Sequence, residues 1–506
     1  MPAKVGEECG IAAVYLKKPL RKEIVPALLY EMLSKLQHRG QLSAGISVYN
    51  PFNEDYEKRL KLLRNLGTVT SVFKANIKKE FEENLEYFKG TAGIGHVRYA
   101  TAGSAIHHLD LIEEAQPFFR NHPRLWKRFS IAFNGNLVNY DELKKEMAED
   151  YLLDTKVDTE VMMHLISKTL NQLSLERGGG KPDFFEASRR VMEKMDGAYN
   201  VVFMFANGEL VVWRDPFGFK PLVYGENEDY FAVASESVAL ERIGIKNFKS
   251  PEPGTCMIFN GKELKMRNLF PGHRKAHCHF ERVYFARANS VVDGISVNET
   301  REKLGINLAI NEPLKEDILR NKGNYVVVPV PNTAIPAAEA YAKYFGLNLT
   351  QAITRDGTDR GFINKEGERA RIMNSKYGVI SGRIKGKKII LIEDSIVRGE
   401  TSKIVIAMIR SAGALEVHFR ATEPPIICPC FYGIDFPTKG ELIGARFKED
   451  LEKGVAHEIG ADSMVYQTVQ GLVSACGLSY NELCLACLNG NYPTEAGRLI
   501  QQKLKL

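Results

Sequence analysis

The sequence predicts two units in series: a mixed α+β first half and an α/β second half built on a parallel sheet. Three observations carry that expectation. The chain has 506 residues, too many for one hydrophobic core. From Tyr325 to Arg420, apolar runs of strand length alternate with stretches of helical spacing, the pattern of repeated βαβ units. In the first half, Asn200 to Phe205 and Glu209 to Trp213 read as short strands joined by the turn Asn207-Gly208.

Composition narrows the function classes. Hydrophobic content of 44% and charged content of 26% are those of an ordinary globular protein. The net charge of +6 is small, and no long Lys/Arg block is present, so no nucleic-acid partner is expected. Met1 to Glu8 lacks a signal-peptide core, and no run of about 18 apolar residues occurs, so the expected location is the cytoplasm, with no membrane contact. The eight cysteines are too sparse for a disulfide scaffold.

In chain order, Cys9 comes first, directly before the apolar strand Gly10 to Tyr15. Such a cysteine is ordinarily a small core residue. Removal of residues 1–8 would leave it a free α-amine, which can act as general base for its own thiol. Phe133-Asn134-Gly135-Asn136 follows; an Asn-Gly pair is ordinarily a hairpin turn. An amide and a glycine N–H can also aim together at a developing oxyanion. Arg177-Gly178-Gly179-Gly180-Lys181 lacks P-loop spacing and reads as a loop. Pro251-Glu252-Pro253-Gly254 closes the first half, with one or two strands after it.

In the second half, Tyr325 to Val330 is the expected buried parallel strand, Pro336 to Phe345 a helix closed by Gly346, and Leu347 to Ile353 the next strand. Lys387 to Ile392 is another apolar run, and two acids, Glu393 and Asp394, follow it. Ser395, Arg398, Gly399 and Thr401 form a loop, and Ile404, Val405, Met408 and Ile409 have helical spacing before Gly413. A strand, acid pair, Gly/hydroxyl loop and helix in that order aim backbone N–H groups at phosphate. The acids suit ribose hydroxyls or magnesium. The ordinary alternative is a βα turn with solvated acids. Near the end, Cys484 and Cys487 form a C-x-x-C, and Cys278 and Cys430 lie upstream. On chemistry alone, four such thiolates bind zinc or an iron–sulfur cluster.

Glu393-Asp394-Ser395-Ile396-Val397-Arg398-Gly399-Glu400-Thr401 resembles the 5-phosphoribosyl-1-pyrophosphate (PRPP) signature of type I phosphoribosyltransferases, in the form found in the amidophosphoribosyltransferase family. Glu7-Glu8-Cys9-Gly10 resembles the start of class II, N-terminal-nucleophile glutamine amidotransferases that carry a short propeptide. Leu36 to Gly45, Gly95 to Gly103, Phe133 to Leu137 and Val157 to Val161 continue the likeness in family order, with a departure at Leu42. So do Arg214 to Leu222, where Lys220 replaces the usual arginine, and Ala234-Ser235-Glu236-Ser237. Cys278 to Ser290 resembles the family's interdomain crossing.

The resemblance implies an αββα glutaminase domain followed by a phosphoribosyltransferase parallel-sheet domain. The expected division is propeptide 1–8, glutaminase 9–262, crossing 263–285, phosphoribosyltransferase 286–470 and tail 471–506. It implies glutamine and PRPP as substrates, purine nucleotides as effectors, and a homo-oligomer. Cys9 is then the nucleophile, Asn134 and Gly135 the oxyanion hole, and Arg98 and Asp158 the groups that hold glutamine. Arg98 suits a carboxylate because a guanidinium can donate two parallel bonds to it. Glu393, Asp394, Ser395, Arg398, Gly399 and Thr401 bind PRPP, with Arg355, Arg360 and Lys376 from a flap, and Glu393 and Asp394 hold Mg2+. Cys278, Cys430, Cys484 and Cys487 match the ligands of a [4Fe–4S] cluster. Asn332-Thr333-Ala334 departs from the family's acid and two hydroxyls, and Thr354 stands before Arg355 where asparagine is usual. The alternatives are a diverged paralogue with another acceptor or one half-reaction, and a non-catalytic regulatory protein.

Overall fold

A computed structural model describes residues 9–18, 24–99, 108–355, 377–436, 438–447 and 449–505. In chain order the first half contains β1 (Gly10–Leu16), α1 (Ile24–Leu36), β2 (Ser43–Tyr49), β3 (Leu60–Leu66), β4 (Ala92–Arg98), β5 (Phe118–Arg120), β6 (Phe129–Leu137), α2 (Asp158–Glu176), α3 (Phe184–Lys194), β7 (Gly197–Phe205), β8 (Leu210–Arg214), β9 (Val223–Glu226), β10 (Tyr230–Ala234), β11 (Phe248–Lys249), β12 (Thr255–Phe259) and β13 (Leu264–Asn268). They form two antiparallel sheets, ordered β11-β9-β10-β1-β4-β2-β3 and β13-β12-β8-β7-β6-β5.

The sheets stack because their strands alternate apolar faces with period two. Ile11, Ala13 and Tyr15 of β1 meet Ala132, Val202 and Met204 of the other sheet. The opposite face of β1, Ala12, Val14 and Leu16, is covered by Val25, Leu29 and Leu33 of α1. Phe129, Ile131 and Phe133 of β6 are covered in turn by α2 and α3. The result is four layers, αββα. The second sheet runs through β13, past residue 262.

After β14 (His277–Cys278) and a π-helical turn at Glu281–Phe285, a hairpin turns at Asp293-Gly294, both with positive φ, as a type I′ turn demands. Ser296 caps α4 (Val297–Ile310) by accepting from Glu299 N–H. The second half continues with β15 (Tyr325–Pro329), α5 (Ile335–Phe345), β16 (Asn348–Leu349), β17 (Lys388–Glu393), α6 (Glu400–Ser411), β18 (Glu416–Ala421) and β19 (Ser463–Tyr466). These five strands form one parallel sheet, β16-β15-β17-β18-β19. Ile389 and Leu391 of β17 face α6, whereas Ile390 and Ile392 face α5, so both sides are covered.

The expected strand Leu347 to Ile353 is two pieces. Asn348–Leu349 extends the sheet, but Ala352 N–H bonds back to the Thr350 carbonyl, and Ile353–Arg355 then pairs with Tyr377–Val379 outside it. The second half returns to the crossing and to the first half. β20 (Leu483–Cys484) pairs with β14, Ala496 N–H donates to Asp196, and Asn136 donates to the Phe431 carbonyl at 2.8 Å.

Candidate functional site

Cys9 is fully buried ahead of β1. β1 lies antiparallel on β4 with Gly10 opposite Val97 and Ile11 opposite His96, a register whose continuation sets Cys9 beside Arg98. Gly40 passes this point so closely that a Cβ there would lie 2.4 Å from the Arg98 backbone, which explains the glycine in Gln37-His38-Arg39-Gly40. Gln37 braces the same turn, accepting from Val69 N–H and donating to the Gly40 carbonyl. Arg39 points elsewhere: fully buried, it pairs with Glu236 and with Glu281 of the crossing.

Asn134 and Gly135 lie in the middle of β6, not in a turn. A Cβ on Gly135 would stand 2.1 Å from the Ala198 carbonyl oxygen of β7, so only glycine fits this strand pair. Neighbouring Phe133 is held at both ends: Gln116 accepts its N–H at 2.7 Å, and His96 Nε2 bonds its carbonyl at 3.0 Å. Burial pushes His96 down to about 3, so it is the neutral imidazole that donates here. Asn134 Nδ2 donates to Ser235 Oγ at 3.2 Å.

Arg98 is buried and its Nη2 donates to Glu114 Oε2 at 2.9 Å. Asp158 is the first residue of α2, where the helix N-terminus favours a negative charge, and it accepts from Leu137 N–H at 2.8 Å. Four of the five residues expected for glutamine chemistry thus sit on β4, β6 and the start of α2, around the strand that Cys9 precedes. Glu114, Gln116, His96 and Ser235 had no expected role; their bonds span up to 224 residues and leave no local pattern.

The second centre lies at the carboxyl end of β17, where a parallel sheet places its ligands. Glu393 and Asp394 are buried. Ser402 donates to Glu393 at 3.0 Å, and Ser395 and Thr333 donate to Asp394. Burial, then the neighbouring Asp394, push Glu393 up to about 8; burial also raises Asp394. Gly399 takes φ +84° and begins α6, with Thr401 in its first turn. Arg398 turns toward Glu441 at 3.4 Å. Thr333, within the segment that departs from the family pattern, is therefore joined to the acid pair, while Ala334 is buried without a side-chain oxygen. Arg355 ends its short strand, and Arg360 and Lys376 lie outside the described residues.

Cys278, Cys430, Cys484 and Cys487 are electrostatic neighbours. Cys278 stands opposite Cys484 in the β14–β20 ladder. Cys487 Sγ is 3.9 Å from His279 Nε2, and Tyr432 N–H donates to Cys430 Sγ at 3.3 Å. Burial pushes Cys484 up to about 12, and burial with the nearby Cys430, Cys484 and Cys278 raises Cys487 further. Thiols so placed ionise only beside a cation. Among the described residues, no group of three or more His, Cys, Asp or Glu is drawn together as around one metal ion. His279 also pairs with Glu423 at 2.6 Å, and Glu423 N–H donates to the Asp394 carbonyl, so the thiols and the acid pair share a buried connection.

Residues 104–242 match the family model of a glutamine amidotransferase domain. The amidophosphoribosyltransferase of Methanothermobacter thermautotrophicus is 38% identical over 502 residues, covering 97% of this chain and 96% of the relative. That of Bacillus subtilis is 34% identical over 499 residues, covering 97% and 95%. Among solved structures, the glutamine PRPP amidotransferase from B. subtilis complexed with ADP and GMP superposes with a TM-score of 0.80 at 32% identity, covering 96% of this chain and 98% of that one. The structure of the allosteric regulatory enzyme of purine biosynthesis gives a TM-score of 0.81 at 33% identity, covering 96% and 97%. Likeness of this extent covers nearly the whole chain, and the chain belongs to the amidophosphoribosyltransferase family.

Proposed function

We propose a division of labour among this chain's residues for the family's reaction, the glutamine-dependent amination of PRPP in purine biosynthesis. Residues 1–8 are removed, which frees the Cys9 amine. That amine takes the thiol proton, and Cys9 Sγ attacks the amide carbon of glutamine. The tetrahedral oxygen rests on the Asn134 amide and Gly135 N–H. Arg98 holds the glutamine carboxylate and Asp158 its ammonium. The protonated amine then gives its proton to the amide nitrogen as the C–N bond breaks, so ammonia leaves and a thioester remains. The amine next takes a proton from water, whose oxygen displaces the Cys9 sulfur, and glutamate departs. Ammonia passes internally to C1 of PRPP, where the C–N bond forms as pyrophosphate leaves. Shielding it from water preserves its lone pair.

The loop from Ser395 to Thr401, with Arg398 and Gly399, binds the ribose phosphate, and Arg355, Arg360 and Lys376 reach the pyrophosphate. Glu393 and Asp394 fit magnesium: they are oxygen donors, buried, and Glu393 stays protonated to about 8 without a cation beside it. Magnesium, when bound there, offsets the charge of the leaving pyrophosphate. Cys278, Cys430, Cys484 and Cys487 fit a [4Fe–4S] cluster, whose spread-out irons need no single-ion spacing of the thiolates. Its role is a structural tie between crossing and tail. The working boundaries are those given above, with the glutaminase unit carried through β13. Purine nucleotides as effectors, a homo-oligomer and a cytoplasmic location complete the reading; no helix of the described residues is long and apolar enough to cross a membrane.

The observation that carries this reading is the β1–β4 register beside Arg98, with Asn134 tied to the same strand through Ser235. Cys9→Ala removes glutamine-dependent phosphoribosylamine formation, while the ammonia-driven reaction, which needs no thiol, persists. Intact mass gives Cys9 as the first residue of active protein. Fully active enzyme retaining Met1–Glu8 contradicts the mechanism.

A further inference from the structure

We propose that Ser235 is a positioning residue for glutamine hydrolysis: its hydroxyl fixes the Asn134 carboxamide against the strand that follows Cys9. The inference rests on the roles given above to Cys9 and Asn134. Ser235 follows β10 and is fully buried. Its N–H donates to the Ile11 carbonyl at 3.0 Å, and its Oγ accepts from Ile11 N–H at 3.0 Å. The residue is thereby clamped from two sides to the position two beyond Cys9. The same Oγ accepts from Asn134 Nδ2 at 3.2 Å. Ile11 and Asn134 belong to different sheets, so one oxygen sets the nucleophile's sheet against the oxyanion strand.

The carboxamide has little else to hold it. Asn134 Oδ1 is buried with no partner among the described residues, and Ser235 is the hydrogen-bond partner of its Nδ2. An oxyanion donor is effective when its orientation is fixed before the reaction, because no reorganisation is then needed as charge develops. The two residues that follow bind a third body. Glu236 accepts from Arg287 N–H and Ser290 Oγ, and Ser237 Oγ accepts from Val291 N–H, all in the segment after the crossing. The carboxamide's tether is therefore anchored to both sheets and to the junction.

The test compares wild type, Ser235→Ala, Asn134→Ala and the double variant. It measures glutamine-dependent and ammonia-dependent phosphoribosylamine formation. It also measures inhibition by glutamate γ-semialdehyde, whose aldehyde adds to the thiol as a tetrahedral adduct. Losing a whole oxyanion donor lowers kcat by about 10²–10³-fold, and losing its tether should cost about tenfold. Ser235→Ala is expected to lower kcat for glutamine about tenfold with KM within about twofold. It weakens the aldehyde by a similar factor and leaves the ammonia-driven rate at the wild-type value, which shows that the variant folds. The double variant is expected to be no worse than Asn134→Ala, because Ser235 acts through Asn134. Additive losses overturn the proposal, as does a Ser235→Ala effect confined to KM or shared by the ammonia-driven rate. Wild-type glutamine kinetics in Ser235→Ala beside a strongly impaired Asn134→Ala refutes the role of Ser235 alone. Unimpaired Asn134→Ala refutes the oxyanion reading and this proposal with it.

Discussion

Asp293 ties the two halves of the chain together, and its replacement by Asn is the sharpest test of how the halves are held. Its Oδ1 meets Arg214 Nη1 of β8 at 2.7 Å, and its Oδ2 meets Arg282 Nη2 of the crossing at 3.4 Å. Both arginines are 1% exposed. Asp293→Asn keeps the shape and leaves two buried guanidinium groups short of a counter-charge, a loss of about 3–5 kcal/mol at neutral pH. Part of that loss titrates. Arg214, with His277 and Arg282, outweighs burial and holds the carboxyl at about 2, below the ordinary 3.8. A depression of that size contributes roughly 2 kcal/mol. Above the ordinary value the group is ionised in both states, so the contribution is complete. As pH falls toward about 2, the unfolded chain takes up its proton first and the contribution drains away. The stability gap between wild type and Asp293→Asn should therefore narrow by about 1 kcal/mol between pH 5 and pH 3. Urea unfolding followed by tryptophan fluorescence reads this, since Trp213 adjoins Arg214. A gap that stays constant over that range, or a loss below about 1 kcal/mol at pH 7, refutes the reasoning.

Arg420 and Glu312 form a pair with no exposure, joined by two bonds of 2.7 Å. Arg420→Met should cost about 3–5 kcal/mol, and Arg420→Met with Glu312→Leu should recover most of it; equal melting of single and double variants speaks against the pair. Protein purified without oxygen should be brown with about four irons per chain, and Cys484→Ser should lower iron content and stability together. One zinc per chain without iron contradicts the cluster. Ala334→Ser should lower the magnesium needed for half-maximal PRPP turnover, because it adds an oxygen beside Thr333, and an unchanged titration removes that role.

The acid pair and its loop were legible because every feature there is local. An apolar β-branched run predicts β17, Glu393 and Asp394 end it, and Gly399 accepts the positive φ that starts α6. The helix from Ile335 and the alternation of β15, β17 and β18 were legible for the same reason. Asn134-Gly135 was ambiguous on its own. What makes it strand is the approach of the Ala198 carbonyl to within 2.1 Å of the missing Cβ, a fact about β7. Gln116 was invisible, since it acts through one bond to Phe133 N–H. Ser235 stood in a stretch that resembles the family but showed no partner, since its bonds go to the distant Ile11 and Asn134. Leu347 to Ile353 looked continuous because its apolar residues run past the point where Ala352 N–H turns back to Thr350. Arg39 carries charge to a partner 242 residues away, and only the folded crossing reveals it.

The docking of the second half on the first sets a clock on biosynthesis. Asn136, next to Gly135, awaits the Phe431 carbonyl, and Asp196 awaits Ala496 N–H, 300 residues downstream. At about 5–20 residues per second, that partner leaves the ribosome roughly 15–60 s after Asp196 does. β6, which carries Asn136, is therefore completed only after Phe431 has been made, although it is synthesised early. Both contacts thus let the first half reach its final form only after most of the second half has been made.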